Sequence, residues 1–407
     1  MPLRYDPYLA VPLLLCLASM RAESQPTLPA TSIVRLDGSR ISLSVADSFA
    51  RQTLAAHRVT GAQLAVMRDG RLVWSAAFGL RHRSPDLPMQ RTTTTWAASI
   101  TKAVFATYVM QLVERGALDL DVPVVRLLPR SLDTYEPYRE KAALLVHEPA
   151  WPSVTPRMLM SHTAGLANFA TMEPDRRMHL HGVPGAAYRY SGEGINLVQF
   201  IIEQRLGQTL DTLMHAAIFA PLGMTRTGMV FRKEFAADIA DRFGADEQFL
   251  AETRRNPARA AGSMTSTAED LVTFAAALFD GRLLRPATRT AMLRSQVQIR
   301  SLHQFGPGSN ATDGAEAQAV GLAYGIGWGL LSQTRFGPAF FKEGHGDGAQ
   351  TYLICFERQR TCMSILANSD NGELAFRPLL ETILGASVIP WEWEGYTPEY
   401  IEASRRQ

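Results

Sequence analysis

Lysine is scarce in this chain of 407 residues, where 41 residues are basic but only four are lysine. The four are Lys102, Lys141, Lys233 and Lys342. Only Lys102 follows a serine at three residues' distance, in the segment Ser99-Ile100-Thr101-Lys102. Arginine stays charged at any working pH, whereas a buried lysine can lose its proton and act as a base. The exceptional use of lysine here therefore indicates Ser99 as a nucleophile and Lys102 as its activator.

Other features are also missing, and each absence excludes a class of protein. The formal net charge is only +2 without a long run of either sign, which argues against a nucleic-acid partner. No internal stretch is long and apolar enough for an integral membrane span. The Gly-x-Ser-x-Gly elbow of α/β-hydrolases and the glycine-rich loops of nucleotide-binding folds are absent. His179 and His181 have no third ligand at a sensible spacing, so a metal site is not predicted.

The residues after Lys102 form an apolar run to Val113, in which only Thr107 and Gln111 are clearly polar. A helix that is apolar nearly all round is expected to be buried. Ser99 and Lys102 would share one helical face, with Ser99 in the first turn, where free backbone N–H groups favour an anion. A capping serine followed by a lysine that reaches water is an equally good interpretation of this segment alone.

An activated serine needs a second proton carrier and hydrogen-bond donors for an oxyanion. Residues 184–194 could supply the first, because Tyr190 stands in a glycine-rich loop ahead of an amphipathic helix. Residues 342–348 could supply the second, because glycines around His345 let a substrate approach the backbone. The alternatives are a tyrosine packed on a backbone carbonyl and an exposed turn.

The pattern along the chain predicts a sheet built from both ends of the chain. Asp69-Gly70 lies between two β-rich runs and predicts a hairpin. Further β-rich runs occur at 324–331, 340–343, 351–356 and 362–366, before a helix at 373–384. We predict a sheet lobe at about 45–90 and 260–388 that encloses a mostly helical lobe at about 91–259.

The two ends of the chain are predicted to lie outside this domain of residues 45–388. Arg4 precedes a short apolar run at 9–18, which is typical of a signal peptide, here residues 1–22. Export to the periplasm or the medium is therefore favoured over a cytoplasmic location. Residues 23–44 are predicted to be a linker and residues 389–407 a C-terminal tail.

Cys355 and Cys362 flank a short polar segment between two β-rich runs. If Arg358-Gln359 formed the turn of a hairpin, the two cysteines would lie opposite each other. An exported protein could oxidise this pair. Because Arg-Gln is poor turn chemistry, two reduced core cysteines are the preferred prediction.

Taken together, these segments resemble the serine β-lactamase-related superfamily, which includes class C β-lactamases, DD-peptidases and related esterases. The similarity runs from about residue 45 to 385, and its pieces follow in the family's order. They are residues 61–79, 99–102, 118–123, 160–166, 190–192, 219–224, 266–271, 324–329 and 344–348. The resemblance implies an α+β fold, in which an antiparallel β-sheet is flanked by helices and carries an inserted, mostly helical lobe.

The resemblance also implies roles for single residues. Ser99 would form an acyl-enzyme, while Lys102 and Tyr190 would share the proton transfers. The backbone N–H groups of Ser99 and Gly348 would form the oxyanion hole. His345, followed by Gly346 and Asp347, would replace the lysine of the third motif. The substrate would be a small ester, amide or β-lactam, and no metal or organic cofactor is implied.

Two departures from the family pattern bear on the substrate. Gly192 replaces the asparagine that holds the substrate's amide in β-lactamases, which weakens the case for β-lactam hydrolysis. Asp347 adds negative charge and is expected to disfavour carboxylate-bearing substrates. A second register, Lys342-Glu343-Gly344, would restore a lysine to the third motif, although His345 is preferred.

Three hypotheses for function remain open. An ester or amide hydrolase is the leading one, ahead of a β-lactamase or D-Ala-D-Ala-type peptidase. The third is a sensor or binding domain that is acylated without turnover. The sequence does not indicate an oligomeric state.

Overall fold

The computed structural model describes residues 31–306, 309, 314–386 and 388–405. Its strands, β1 to β15 in chain order, are Ser32–Val34, Arg40–Ser42, Gly61–Arg68, Arg71–His82, Leu87–Pro88, Thr95–Trp96, Arg242–Phe243, Phe249–Ala251, Thr265–Ser266, Val297–Gln298, Leu322–Tyr324, Gly329–Leu331, Ala339–Gly346, Ala349–Phe356 and Thr361–Ala367. Its α-helices, α1 to α12, are Leu43–Ala56, Ile100–Glu114, Pro156–Met160, Gly192–Leu206, Leu210–Met214, Ala220–Leu222, Ala268–Phe279, Pro286–Met292, Ala315–Ala319, Gly372–Ile383, Trp391–Glu394 and Pro398–Arg405.

Nine strands form one antiparallel sheet in the order β10-β11-β12-β13-β14-β15-β3-β4-β5. The N-terminal hairpin joins the C-terminal strands where β3 pairs with β15, for example at Ala65 opposite Ser364. Residues 91–259, all of which are described, contribute no strand to this sheet and are mainly short helices and 3₁₀ turns. The predicted α+β fold, an antiparallel sheet with helices, is therefore confirmed.

The central strands are buried on both faces, so the sheet separates two hydrophobic cores. Leu353 and Cys355 of β14 face the core that contains α2 and α7. Their neighbours Tyr352 and Ile354 face the core that contains residues of α1 and α10. This alternation follows from the two-residue period of a strand, and it fixes which face of β13 and β14 meets α2.

The predicted hairpin at Asp69-Gly70 is confirmed. Asp69 and Gly70 connect β3 to β4 with φ values of 51° and 75°. Positive φ at both turn residues is the geometry that a two-residue hairpin prefers, and aspartate followed by glycine adopts it readily.

The prediction of one strand at 324–331 is wrong, because this segment forms the two strands β11 and β12 with a turn between them. Gly327 in the turn has a φ of 76°. A Cβ atom at Gly327 would lie 2.3 Å from the Cβ of Ala106. The turn therefore packs directly on α2, which a continuous strand could not do.

The described residues of the predicted C-terminal tail are part of the domain. Trp391 and Trp393 are buried in the same core as α10, and Ile401 of α12 is also buried. In the described part of the predicted linker, β1 pairs with β2. The predicted signal peptide, residues 1–22, lies outside the described residues. None of the described helices is both long and apolar enough to cross a membrane.

Cys355 and Cys362 lie opposite each other on β14 and β15, as the predicted hairpin register requires. The two residues form a disulfide, so the prediction of reduced cysteines is wrong. Strand register determines that the two sulfur atoms meet, but it does not determine their oxidation state. Both residues are fully buried between the sheet and α7.

Candidate active site

Ser99 stands at the N-terminal end of α2, and Lys102 follows it in the first turn. Lys102 Nζ is 2.8 Å from Ser99 Oγ and donates a second hydrogen bond of 2.5 Å to the carbonyl oxygen of Ala261. The Lys102 side chain is only 1% exposed, and its hydrogen bonds go to a hydroxyl and a carbonyl rather than to a carboxylate. Burial lowers the pKa of Lys102. This arrangement favours the neutral amine next to the hydroxyl.

Tyr190 immediately precedes the N-cap of α4 and lies between two lysines. The Nζ atoms of Lys102 and Lys342 are each 5.0 Å from the centre of its ring. Burial raises the pKa of the Tyr190 phenol, but the charge of Lys342, together with that of Lys102 when it is protonated, outweighs burial and lowers the pKa overall. The phenol is therefore suited to exchange a proton near Ser99.

His162 holds Tyr190 in position. Its ring lies against the Tyr190 ring with 4.4 Å between the centres, and its Nδ1 accepts a hydrogen bond of 3.1 Å from the backbone N–H of Ser191. Burial keeps the pKa of His162 well below its ordinary value, so the imidazole is neutral. His162 lies in the segment 160–166 of the family resemblance, to which the sequence pattern assigned no individual role.

Lys342 is a fully buried residue of β13. Its Nζ is 2.5 Å from Oε1 of Glu343, which also accepts a hydrogen bond of 2.9 Å from Gln304. Burial lowers the pKa of Lys342, but the Glu343 carboxylate more than compensates and raises it overall. Lys342 is therefore held as a cation beside Tyr190, and it is this register of the third motif that brings a lysine to Tyr190.

Gly344 allows β13 to pass against the start of α2. A Cβ atom at this position would lie 2.1 Å from Thr351 Oγ1 and 3.0 Å from the backbone nitrogen of Ser99. Contacts below 3 Å are not tolerated in a packed interior. The absence of a side chain at Gly344 thus sets the distance between the strand and the nucleophile.

His345, the residue preferred from the sequence for the third motif, pairs with a carboxylate in the structure. Its side chain is 63% exposed and pairs with the carboxylate of Glu373, which is 7% exposed. Partial burial of the ring lowers the pKa of His345, but the Glu373 carboxylate raises it by a larger amount. The resulting pKa is about 9, above the ordinary value. The contact of Lys342 with the Tyr190 ring favours the second register of the third motif, Lys342-Glu343-Gly344, over the preferred one with His345.

Gly348 is not positioned as the sequence implied. Its backbone N–H donates a hydrogen bond of 2.6 Å to Asp370 Oδ1, so it is not available to an oxyanion. Gly346, in turn, lies against Trp96, because a Cβ there would be 2.3 Å from the indole ring. The backbone carbonyl of Asp347 accepts a hydrogen bond of 2.8 Å from Arg242.

Comparison with known proteins identifies the family. The family model described as beta-lactamase matches residues 46–385. The chain belongs to the beta-lactamase family. This match covers nearly all of the domain predicted from the sequence, and it includes Ser99, Lys102, Tyr190 and Lys342.

Relatives of this beta-lactamase family chain include enzymes and penicillin-binding proteins. Esterase EstB of Burkholderia gladioli is 34% identical over 216 residues, which is 48% of this chain and 55% of EstB. The chain thus spans little more than half the length of EstB. Penicillin-binding protein 4 of Amycolatopsis lactamdurans is 26% identical over 348 residues, with 81% of this chain and 86% of that protein covered.

Solved structures share the fold. The octameric penicillin-binding protein homologue from Pyrococcus abyssi has a TM-score of 0.67 at 19% identity, covering 90% of this chain and 81% of that one. The D-amino acid amidase from Ochrobactrum anthropi SV3, complexed with L-phenylalanine, has a TM-score of 0.62 at 24% identity, covering 88% and 99%. At these identities the likeness supports the beta-lactamase fold alone.

Ser99 opens into a cleft of about 820 Å³. One part of its lining is apolar and includes Phe169, Met172, Phe305 and Ile401. Ile401 belongs to α12, so the segment predicted to be a tail helps to form the cleft. No described group of three or more His, Cys, Asp or Glu residues could hold a metal ion.

Phe169 occupies the space beside Gly192, where the family pattern often has asparagine. A Cβ atom at Gly192 would lie 2.7 Å from the Phe169 ring. Asn168 also borders this space, and its Oδ1 accepts a hydrogen bond of 2.9 Å from the Gly192 N–H. Sequence reasoning missed both residues, because neither belongs to a motif and only the fold brings them to the cleft.

Proposed function

We propose that this chain is a serine hydrolase that forms an acyl-enzyme on Ser99 and acts on small carboxylic esters or amides. The observation that carries this proposal is the 2.8 Å separation between Lys102 Nζ and Ser99 Oγ in a cleft of about 820 Å³. A neutral buried amine can accept the hydroxyl proton as the oxygen attacks a carbonyl carbon. The pKa of Lys102, which burial lowers, favours that protonation state.

The reaction has two halves. In the first, Ser99 Oγ gives its proton to Lys102 and bonds to the carbonyl carbon, and the bond to the leaving oxygen or nitrogen breaks as Tyr190 donates its proton to the leaving group and takes up the proton held by Lys102. In the second, water gives a proton to Lys102 and attacks the acyl carbon, the bond to Ser99 Oγ breaks, and that proton passes to Ser99 Oγ, which releases the acid and restores Ser99. The cation at Lys342 favours these proton transfers because it lowers the pKa values of both Lys102 and Tyr190.

An oxyanion in this cleft requires backbone donors. Ser99 offers its N–H in the first turn of α2, where N–H groups have no acceptor within the helix. The second donor that we propose is the N–H of His345, which lies three residues after Lys342.

The strand pairing supports this choice. The turn at 347–348 closes on the pair Gly346 and Ala349. A two-residue hairpin closes on a hydrogen-bonded pair, and pairs alternate in an antiparallel ladder. The His345 N–H is therefore directed away from β14, toward the edge of β13 that β12 leaves unpaired beyond Phe341.

The apolar wall favours esters and simple amides. Phe169 fills the position from which an asparagine would bind the side-chain amide of a β-lactam. A β-lactamase or peptidase activity is the second candidate, and the lysine at position 342 favours it, because that lysine restores the Lys-x-Gly form of the third motif.

One experiment separates these functions. Purified protein is mixed with p-nitrophenyl acetate and, separately, with nitrocefin, and product is followed over time. Steady turnover of the ester supports the leading proposal, and steady turnover of nitrocefin supports the second candidate. A single stoichiometric burst would instead indicate a sensor that is acylated without turnover.

The matched control is Ser99→Ala. This variant is expected to lose turnover while its thermal unfolding stays close to that of the wild-type protein, since it removes only one oxygen atom. Full activity in Ser99→Ala would refute the assignment of the nucleophile.

We also infer that the protein works in an oxidising compartment, as export to the periplasm or the medium would provide. Disulfides persist in such compartments and are rare in the cytosol. The disulfide between Cys355 and Cys362 supports this inference. Mass spectrometry of unreduced, alkylated protein from the native cell is expected to find the two peptides linked. Two alkylated cysteines would contradict it.

A further inference from the structure

The carboxylates that line the Ser99 cleft are already matched by groups of the protein itself. Three form ion pairs, namely Glu193 with Lys141, Glu343 with Lys342 and Glu373 with His345. The fourth, Glu394, accepts a hydrogen bond of 2.7 Å from Tyr352, and burial raises its pKa well above the ordinary value, which favours its neutral form. Acidic residues therefore leave little uncompensated negative charge in the cleft.

The arginines of the cleft are not matched in this way. Arg255 and Arg259 both line it, and neither guanidinium forms an ion pair or a side-chain hydrogen bond with another residue in the described part of the chain. Burial, together with the charges of Arg242 and Arg259, lowers the pKa of Arg255 to about 10. Like charges held together with too few counter-ions oppose each other, so this cluster is expected to be stabilised by an anion.

Trp96 prepares Arg255 for binding. The guanidinium carbon of Arg255 is 3.8 Å from the centre of the indole ring, and the indole N–H is anchored by a hydrogen bond of 2.6 Å to the carbonyl of Gly262. Gly346 leaves the space that the ring occupies. A guanidinium stacked on an aromatic face keeps its in-plane N–H donors free for bidentate binding of a carboxylate.

Asp347 does not cancel this positive charge. Its charge acts on Arg255, and its backbone carbonyl binds Arg242, so it lies among several arginines. One carboxylate among Arg242, Arg255 and Arg259 leaves a surplus of positive charge. The surroundings of Asp347 therefore argue against the expectation that this residue makes the cleft unfavourable for carboxylates.

We propose that Arg255 and Arg259 bind an anionic group of the substrate, a carboxylate or a group of similar size and charge, while Ser99 attacks its ester or amide carbonyl. This inference rests on the proposed hydrolase function. Charge-assisted bidentate contacts are stronger than neutral hydrogen bonds and fix the orientation of the bound group. The site thus selects for a substrate that carries one charged end and one apolar portion.

The test compares matched pairs of substrates that differ in one charge. 4-Nitrophenyl hexanoate and mono-4-nitrophenyl adipate have acyl chains of equal length, and only the second ends in a carboxylate. Phenyl acetate and 3-acetoxybenzoate place the same difference in the leaving group. For each pair, the ratio of kcat/KM for the anionic ester to that for the neutral ester is measured, with Ser99→Ala as the background.

In Arg255→Gln this ratio is expected to fall about tenfold for at least one pair, with a larger fall in the double variant Arg255→Gln/Arg259→Gln. The matched control is Arg254→Gln, because Arg254 is 61% exposed, pairs with Glu252 at 2.5 Å and does not line this cleft. Arg254→Gln is expected to keep the wild-type ratio.

The outcomes are distinguishable. Unchanged ratios for both pairs in the double variant would overturn the anion site and leave the Ser99 hydrolase intact. An equal fall of the ratio in Arg254→Gln would also overturn it, because the effect would then be one of general charge. Absence of Ser99-dependent turnover for all four esters would instead refute the proposed function itself.

Discussion

Two buried lysines flank Tyr190 at equal distance, and their surroundings favour opposite charge states. Lys102 on α2 and Lys342 on β13 are each 5.0 Å from the tyrosine ring and almost fully buried. Burial lowers the pKa of Lys102. Burial also lowers the pKa of Lys342, but contact with the carboxylate of Glu343 raises that pKa overall. A single carboxylate thus decides which lysine can serve as a base and which stays a cation.

The comparison shows how one residue type can fill two roles in one site. The charge of Lys342 lowers the pKa of Lys102 as well as that of Tyr190. The Lys342 cation therefore lowers the pKa of Lys102 electrostatically, without contacting Ser99. Perturbed ionisable groups of this kind are typical of catalytic clefts.

Exchanging each lysine for arginine tests the comparison most strongly. Lys102→Arg is expected to lower kcat/KM for an ester about a thousandfold, since arginine stays protonated and cannot act as a base. Lys342→Arg keeps the cation and is expected to lose only about tenfold, through the poorer fit of a larger group. Esterase kinetics on both variants measures the difference. Equal losses of kcat/KM in the two variants would show that the two lysines do not have different roles.

Moving the two lysines apart should have the next largest effect. Gly344→Ala places a methyl group 3.0 Å from the Ser99 nitrogen and 2.1 Å from Thr351 Oγ1, which forces β13 away from α2. We expect activity to fall about a hundredfold and stability to fall by about 1–3 kcal/mol. The control is Gly262→Ala, where the new Cβ would meet nothing closer than 3.6 Å. Wild-type rates in Gly344→Ala would contradict the close approach.

Removing the carboxylate that distinguishes the lysines should shift the pH profile. In Glu343→Gln, burial is no longer opposed and the pKa of Lys342 falls. Glu343 itself raises the pKa values of Lys102 and Tyr190, but the Lys342 cation lowers both by more. Loss of the Lys342 charge therefore outweighs loss of the Glu343 charge, both pKa values rise, and the rising limb of kcat/KM moves to higher pH. At neutral pH the rate is expected to fall about tenfold. A limb that stays in place or moves to lower pH would contradict the role of Glu343.

The ion pair of the exposed His345 with Glu373 is expected to have a smaller effect, on how the stability of the fold depends on pH. Glu373 raises the pKa of His345 to about 9 in the folded protein, above its ordinary value. Its ion pair therefore stabilises the fold fully below about pH 6.5. This contribution is lost as the pH rises to about 9.

Chemical denaturation of wild type and His345→Gln across that range measures the contribution. We expect a difference of about 1 kcal/mol or less at pH 6, because the His345 side chain is largely exposed, and a smaller difference at pH 9.5. A difference that grows with pH would contradict the assignment.

Local sequence patterns predicted much of the fold. The hairpin turn predicted at Asp69-Gly70 is present in the structure, because these two residue types favour the turn geometry locally. The buried helix predicted from the apolar run after Lys102 is also present. The proximity of Ser99 and Lys102 could also be predicted, because residues three apart on a helix lie on the same face.

Contacts between distant segments could not be predicted in the same way. Glycines at 344, 346 and 348 recur every two residues, so the pattern fits either register of the third motif. Only the pairing of β13 with β14 decides which glycine meets Ser99. Phe169 and the C-terminal helices reach the cleft through tertiary packing, which leaves no periodic signal.

The charge states of the two lysines can be measured directly by NMR with lysine labelled at Cε with ¹³C, because the chain has only four lysines. Lys102→Arg and Lys342→Arg assign the two signals by their disappearance. We predict that the Lys102 signal titrates below the ordinary lysine pKa of about 10.4, while Lys342 is still protonated at that pH. Titration of Lys102 at or above the ordinary value, or of Lys342 before Lys102, would contradict the proposed mechanism.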